Sequence, residues 1–189
     1  MIFLLVPLLT FMLLKDADAM KLRLLALVPN RHFETVYGIT WKIIHQLGGF
    51  VAARLLEALI ILLMVTIPCL IFKIPYAFLL GLFAAATNAI PYIGPLIGAV
   101  PGLLFALGDT SGHSHLFTIF LIYLAANLVD MIVVFPVVVG RLVDLHPLIV
   151  VISVVLGSQF LGILGMILAV PMASALKILI QEFHSRLYQ

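Results

Sequence analysis

The chain of 189 residues is 65% hydrophobic and 10% charged, and its mean hydropathy is +1.31. A soluble globular domain is about half apolar and a quarter charged, so these proportions exclude that class and predict a membrane protein. The net charge of +2, with no basic run, excludes nucleic acid as a partner, and the single cysteine, Cys69, excludes a disulfide framework.

The chain begins with two stretches of different character. Residues 1–14 are apolar and provide about 21 Å of helix, against about 30 Å of hydrocarbon, which predicts a truncated transmembrane helix. Residues 15–54 carry more charge, and apolar residues recur there at three- and four-residue steps after Pro29. This spacing predicts amphipathic, cytoplasmic or interfacial helices that lie on the membrane surface or pack on a neighbouring subunit.

A spanning helix is predicted over 55–72, after Gly48 and Gly49. Arg54 and Glu57 lie three residues apart near its start, on one side of the helix. We interpret them as an ion pair at the membrane interface, and a transport role for Glu57 is the less favoured alternative.

The apolar stretch 74–108 is interrupted between residues 90 and 102 by three prolines and three glycines. A straight helix cannot run through such a stretch, and non-helical chain at membrane depth is tolerated where it lines a cavity. Each arm provides about 20 Å of helix, too little to cross comfortably, which predicts a hairpin that dips in and returns. An ordinary proline-kinked helix is the alternative.

A long helix is predicted over 116–139, with Asn127 and Asp130 near its centre and Tyr123 one turn earlier. An ionisable residue at mid-membrane is costly and is rarely present without a function. A structural aspartate that joins helices by hydrogen bonds is the alternative. The loop before this helix contains His113 and His115, a weak metal signal that we interpret as a solvated loop.

A second hairpin is predicted over 147–180, followed by a cytoplasmic tail over 181–189. The triplet Ala-Val-Pro closes both interrupted regions, at 99–101 and at 169–171. Two apolar segments interrupted in corresponding places are typical of the binding site of a secondary transporter.

The placement of lysine and arginine predicts the orientation. If the two hairpins enter from opposite faces, nine of these residues lie on one side and only Lys73 lies on the other. This split follows the positive-inside rule and makes residues 15–54 and the C-terminus cytoplasmic. If each interrupted region instead crossed the membrane once, eight lysines and arginines would lie on one side and two on the other.

Several segments resemble the C-terminal half of the AI-2E (autoinducer-2 exporter) family of bacterial inner-membrane permeases. They are FMLLKDADAM, IPYIGPLIGAVPG, the pair Asn127 and Asp130 followed by FPVVVGRLVDLHPL, and LGSQFLGILGMILAVP. The resemblance implies export of a small polar signalling molecule in some members and Na⁺ or Li⁺/H⁺ antiport in others. It also implies a homo-oligomer, pentameric where described.

We therefore expect an all-α protein with polytopic transmembrane helices and two opposed re-entrant hairpins, acting in the lipid bilayer as a secondary transporter. The expected solute is small and polar, such as autoinducer-2, with Na⁺(Li⁺)/H⁺ antiport as one alternative and a non-transporting scaffold or assembly subunit as another. No enzyme motif such as GxSxG or HExxH occurs, and no cofactor or metal site is predicted.

Two groups of residues are predicted to form and shape the transport site. The substrate-binding candidates lie at the hairpin tips and on the 116–139 helix: Asn88, Pro91, Tyr92, Gly94, Pro95, Asn127, Asp130, Ser158, Gln159 and Gly162. The candidate structural hinges lie in the arms that leave the tips: Gly98, Pro101, Gly165 and Pro171.

The opposed hairpins predict a labelling pattern. Single cysteines at Ser111 and at Asp144, in a Cys69→Ser background, are expected to react with an impermeant thiol reagent from opposite faces of oriented vesicles. Reaction of both from the same face would contradict this topology.

Overall fold

A computed structural model describes residues 15–16, 28–29, 33–90, 93–108, 114–140 and 145–187. These residues form helices α1 (Phe33–Ile71), α2 (Ala77–Thr87), α3 (Gly94–Gly108) and α4 (Ser114–Val129), a π-helix (Asp130–Gly140) and α5 (Pro147–Leu187). Three stretches are long and apolar enough to cross a membrane: Phe33–Ile71, His115–Gly140 and Pro147–Glu182. The predicted all-α, polytopic class is therefore confirmed. The predicted helix over 1–14, and Pro91, Tyr92 and His113, lie outside the described residues.

Helix α1 is one continuous helix of 39 residues. The sequence predicts two helices separated at Gly48 and Gly49, and this separation is wrong. Glycine lowers helix stability by about 1 kcal/mol relative to alanine but does not force a break. The flanking turns are held by packing, because Phe50 and Ala53 are buried. The helix ends at Ile71, after which Lys73 adopts a left-handed conformation.

Helices α2 and α3 form an antiparallel pair, which we call the first hairpin. The rings of Tyr76 and Phe105 meet edge to face at 5.6 Å, at the end of the pair away from its tip. Near the tip, a Cβ atom on Gly98 would lie 2.7 Å from Thr87 Oγ1 and 3.1 Å from Ala84 Cα. The predicted break over 90–102 is too long, because helix α3 resumes at Gly94 and accommodates Pro101.

The predicted helix over 116–139 is confirmed as the continuous stretch His115–Gly140. Its second half, which the sequence does not predict, is wound as a π-helix that starts at Asp130 and contains Pro136. Wider winding of this kind is rare and is frequently found at functional sites. Asp130 thus lies where one helix type changes into the other.

Helix α5 reverses direction at Gly162, where φ is 60° and ψ is −136°, and we call it the second hairpin. A Cβ on Gly157 would lie 2.8 Å from the carbonyl carbon of Gly165 and 3.2 Å from Ala169 Cβ. In a straight helix Gly157 and Gly165 would be about 12 Å apart, so the two arms run side by side. That either hairpin returns to its face of origin stays a prediction.

Two apolar cores hold these elements together. The first hairpin packs between α1 and α4 around residues that include Val65, Cys69, Ala84, Ile119 and Tyr123. The second core joins the second hairpin to the first half of α1 and to the end of the π-helix. Most large apolar side chains on the outer faces are exposed, as expected for helices in lipid.

The close contact between the two arms of the second hairpin predicts the effect of a substitution and provides a matched control. Gly157→Ala is expected to destabilise the protein by about 1–3 kcal/mol, because the added methyl group overlaps the Gly165 backbone. Gly48→Ala should be neutral or stabilising by up to about 1 kcal/mol, because a Cβ there meets nothing within 4 Å. Thermal unfolding of both variants in detergent measures the difference, and equal melting temperatures would contradict the packed reversal.

Candidate transport site

Four polar side chains meet inside the helix assembly: Arg54, Glu57, Asn88 and Asp130. Arg54 Nη1 donates to Glu57 Oε2 at 2.7 Å, and Asn88 Nδ2 donates to Glu57 Oε1 at 3.2 Å. Glu57 is only 1% exposed and Asn88 only 6%. We call these four residues the polar cluster.

Asp130 completes the polar cluster from the first turn of the π-helix, where it is buried. Its carboxyl group lies within interaction range of the side chains of Glu57, Asn88 and Arg54. The cluster therefore combines two facing carboxyl groups, one guanidinium group and one amide.

Aromatic rings fix the position of the guanidinium group. The Arg54 Cζ atom lies 5.4 Å from the centre of the Phe50 ring and 5.5 Å from the centre of the Phe135 ring. Both distances are within the range of a cation–π interaction, which is stronger at a desolvated site. Phe50 comes from α1 and Phe135 from the π-helix, so the ring contacts also tie these two elements together.

Two buried atoms of the polar cluster have no hydrogen-bond partner: Arg54 Nε, a donor, and Asp130 Oδ1, an acceptor. A buried polar atom left unpaired costs about 1–3 kcal/mol, and more if it is charged. The site therefore retains one unused donor and one unused acceptor in an environment that favours pairing.

The helix lengths place the polar cluster deep in the apolar layer. Glu57 lies about 21 Å along α1 from its end at Ile71, and Asp130 about 24 Å along α4 from its start at Ser114. The end of α1 and the start of α4 both lie on the side of the first hairpin that is away from its tip. The hydrocarbon layer is about 30 Å thick, so these distances put the cluster beyond its midplane. The cluster is therefore nearer to the membrane face on which the first half of α1 lies.

A cavity of ≈ 310 Å³ lies beside the polar cluster. Arg54, Glu57, Asn88 and Ala89 contribute to its wall, and Ile167 of α5 also lines it. Since one water molecule occupies about 30 Å³ of liquid, the cavity is large enough for a small solute or a group of water molecules. The first apolar core fills the space around the first hairpin beyond the cluster.

The structure brings some of the other predicted residues of the first hairpin and α4 near this site. Gly94 and Pro95 form the first turn of α3, directly after the tip that carries Asn88. Asn127, one turn before Asp130, is half-buried. Gly98 and Pro101 lie inside the continuous helix α3, where Gly98 forms the close contact with α2. Their predicted role as hinges stays a prediction.

The predicted residues of the second tip lie apart from the polar cluster. Ser158 Oγ donates to the carbonyl of Val155 in its own helix at 2.6 Å, and Gln159 is exposed. Gly162 forms the turn, while Gly165 and Pro171 face other helical arms. Along the backbone, α1 is the described helix that closely approaches α5, so this tip does not reach Asp130.

The sequence analysis misses three residues of the site: Arg54, Glu57 and Ile167. The ion pair between Arg54 and Glu57 is confirmed, with Glu57 buried and Arg54 half-buried. Its position at the membrane interface stays a prediction. The available signal was a pair of opposite charges inside an apolar helix. No sequence signal distinguishes Ile167 from its apolar neighbours. The described residues contain no group of three or more His, Cys, Asp or Glu placed to hold a metal ion.

A model of the AI-2E family transporters matches residues 1–185. The chain belongs to the AI-2E transporter family. The predicted family membership is therefore confirmed, and the hairpins and polar cluster described above lie within the region that matches the AI-2E model.

Three AI-2E relatives illustrate the similarity. YrrI, a candidate transport protein of Bacillus subtilis (strain 168), is 32% identical over 178 residues, which is 94% of this chain and 50% of YrrI. PerM, a candidate permease of Escherichia coli (strain K12), is 29% identical over 180 residues, 95% of this chain and 50% of PerM. TqsA, an AI-2 transport protein of the same strain, is 34% identical over 107 residues, 57% of this chain and 31% of TqsA. The chain spans about half the length of YrrI and PerM.

Burial of the Arg54–Glu57 pair predicts its contribution to stability. Arg54→Ala is expected to lower the free energy of unfolding by about 3–5 kcal/mol, because it leaves two buried carboxyl groups without their cation. Arg54→Ala combined with Glu57→Gln should recover part of this loss. Both variants are measured by thermal unfolding of the purified protein in detergent.

The matched control for this prediction is the exposed pair Lys42–Glu182, whose Lys42 side chain is 53% exposed. Lys42→Ala should change the free energy of unfolding by less than about 1 kcal/mol. If Arg54→Ala costs no more than Lys42→Ala, the polar cluster does not depend on its ion pair.

Proposed function

We propose that this chain is the part of a secondary transporter that binds and releases a small polar solute during export across the bacterial inner membrane. The polar cluster is the observation that carries the proposal. Charged and amide side chains in an apolar layer are costly, and they are placed at such depth mainly where a solute or ion passes. The adjoining cavity gives the solute space.

The unused atoms of the polar cluster favour a solute with both donors and acceptors. Arg54 Nε can donate to a solute oxygen, and Asp130 Oδ1 can accept from a hydroxyl group. A small hydroxylated molecule offers both. The name of TqsA, an AI-2 transport protein, supports autoinducer-2 as the first solute to test.

Na⁺(Li⁺)/H⁺ antiport is the second candidate, and the charge of the polar cluster favours it. With both carboxyl groups ionised, Arg54 leaves one negative charge uncompensated, whereas one proton shared by Glu57 and Asp130 makes the cluster neutral. A cation that replaces this proton would keep the buried charge balanced. Carboxylate oxygens are suitable ligands for such a hard cation.

The packing suggests how access to the solute would be restricted. The cavity adjoins the first half of α1, whereas on the other side of the polar cluster the first hairpin is packed closely between α1 and α4. A carrier that opens to one side at a time needs such a closed side. Homo-oligomeric assembly, which the family resemblance implies, stays a prediction.

Transport is tested in two stages with the chain reconstituted in proteoliposomes. The first stage asks which gradient is used: autoinducer-2 efflux with and without a pH gradient, and the change in internal pH on addition of NaCl or LiCl. Proton or Na⁺ coupling must be established in this stage, because an uncoupled exporter need not depend on a titrating carboxyl group.

The second stage measures coupled flux in Asp130→Asn and Glu57→Gln. Each substitution keeps the shape of the side chain and removes its titration, so each is expected to reduce coupled flux at least tenfold while expression and gel-filtration profile stay normal. Glu34→Gln, a matched change at an exposed carboxylate, should retain the normal coupling ratio. Full coupled flux in Asp130→Asn would make Asp130 a structural residue, and no flux of either kind in the unmodified chain would favour the scaffold alternative.

A further inference from the structure

The two hairpins are held to the rest of the protein in different ways. The first hairpin is enclosed: α2 approaches α1 so closely that a Cβ on Gly81 would lie 2.8 Å from the Leu62 carbonyl oxygen. On its other side, Tyr123 of α4 donates to the Leu80 carbonyl at 3.2 Å. The second hairpin approaches α1 along the backbone, and its apolar side chains also meet the end of the π-helix in the second core. Unlike the first hairpin, it is not enclosed between two long helices.

The second hairpin is nevertheless stiff within itself. The backbones of Gly157 and Gly165 touch, and a Cβ on Gly157 would also lie 3.2 Å from Ala169 Cβ. Close packing of the two arms makes them move together, because separating them would open a gap along their whole contact. A stiff unit attached along one face can shift as a rigid body.

This hairpin supplies one wall of the cavity. Most of the cavity lining comes from α1 and from the first hairpin with its tip, and Ile167 is the lining residue from α5. An apolar side chain opposite Arg54, Glu57 and Asn88 contributes no hydrogen bond to a polar solute. Its contribution is an apolar part of the cavity wall.

The second arm of this hairpin, which follows Gly162, makes two weak contacts with α1. Because they are weak, the arm can separate from α1 and return. Ser174 lies in this interface among residues such as Ile43, Leu47 and Phe50, and its buried Oγ has no hydrogen-bond partner. Closing the interface therefore costs a hydrogen bond that Ser174 could make in water. Further along, Lys42 Nζ meets Glu182 Oε2 at 2.7 Å in an exposed ion pair, a type of contact that contributes little and is readily broken.

We propose that the second hairpin is the moving wall of the cavity, that Ile167 is its gate residue, and that the Lys42–Glu182 ion pair latches it onto α1. The inference rests on the proposed function, in which the cavity holds the solute. Movement of the second arm away from α1 would withdraw Ile167 and open the cavity beside the polar cluster, while the enclosed first hairpin stays in place.

Access to the cavity is measured with a cysteine at Ala89 in a Cys69→Ser background. The rate of reaction with an impermeant methanethiosulfonate reagent is followed in the full chain in proteoliposomes. Ile167→Ala and Glu182→Gln are each expected to raise this rate at least threefold, since one thins the wall and the other releases the latch. Phe160→Ala is the matched control, because Phe160 is 82% exposed at the tip of the same hairpin and should leave the rate unchanged.

A second measurement leaves the packing of the cavity wall unchanged. Histidines in place of both Lys42 and Glu182 allow Zn²⁺ to bridge the latch, and bound Zn²⁺ is quantified on the protein. Bridging is expected to slow the reaction of the Ala89 cysteine at least fivefold, and a chelator should restore it. Lys42→His alone controls for other histidines and for Zn²⁺ binding to the reporter cysteine.

Unchanged rates in Ile167→Ala and Glu182→Gln, or in the bridged protein, would overturn the gate. Labelling requires no solute or gradient, so this result is distinguishable from failure of the proposed function. Normal coupled flux in Asp130→Asn would reject the coupling role of the polar cluster even if the wall moves.

Discussion

The burial of three ionisable side chains in an apolar layer is the constraint on which the rest of this structure depends. Isolated charges at that depth are too costly, so Arg54, Glu57 and Asp130 must compensate one another and Asn88 must complete their hydrogen bonds. These residues come from α1, from the first tip and from the π-helix. The need to bring them together therefore fixes the relative height of three elements.

Short helices can reach this depth because glycines allow close approach. Gly81 seats α2 against α1, and Gly98 seats α3 against α2, so that the first hairpin fits between two long helices without leaving space around its backbone. At the tip, where helical hydrogen bonding ends, Asn88 turns towards Glu57. The break in the helix thus provides a polar group inside the helix assembly, where the packed arms enclose it.

The two interrupted segments are similar in sequence but pack differently. The first hairpin belongs to the core around Cys69 and Tyr123, and it supplies polar groups. The second hairpin packs along α1, and it supplies an apolar wall through Ile167. On the proposed function, the first segment would serve binding and the second would serve access.

Sequence alone predicts the membrane character, the helical class, the positions of both interruptions, the polar residue Asp130 and the family. Each follows from local information: apolar length, proline and glycine placement, and motifs of contiguous residues. Only the tertiary structure decided that Glu57 is a core residue, that the second tip stays away from Asp130, and that the helix widens into a π-helix at that residue. These features depend on which helix faces meet. Asn88 and Glu57 are 31 residues apart, and periodicity within either helix carries no information about the other.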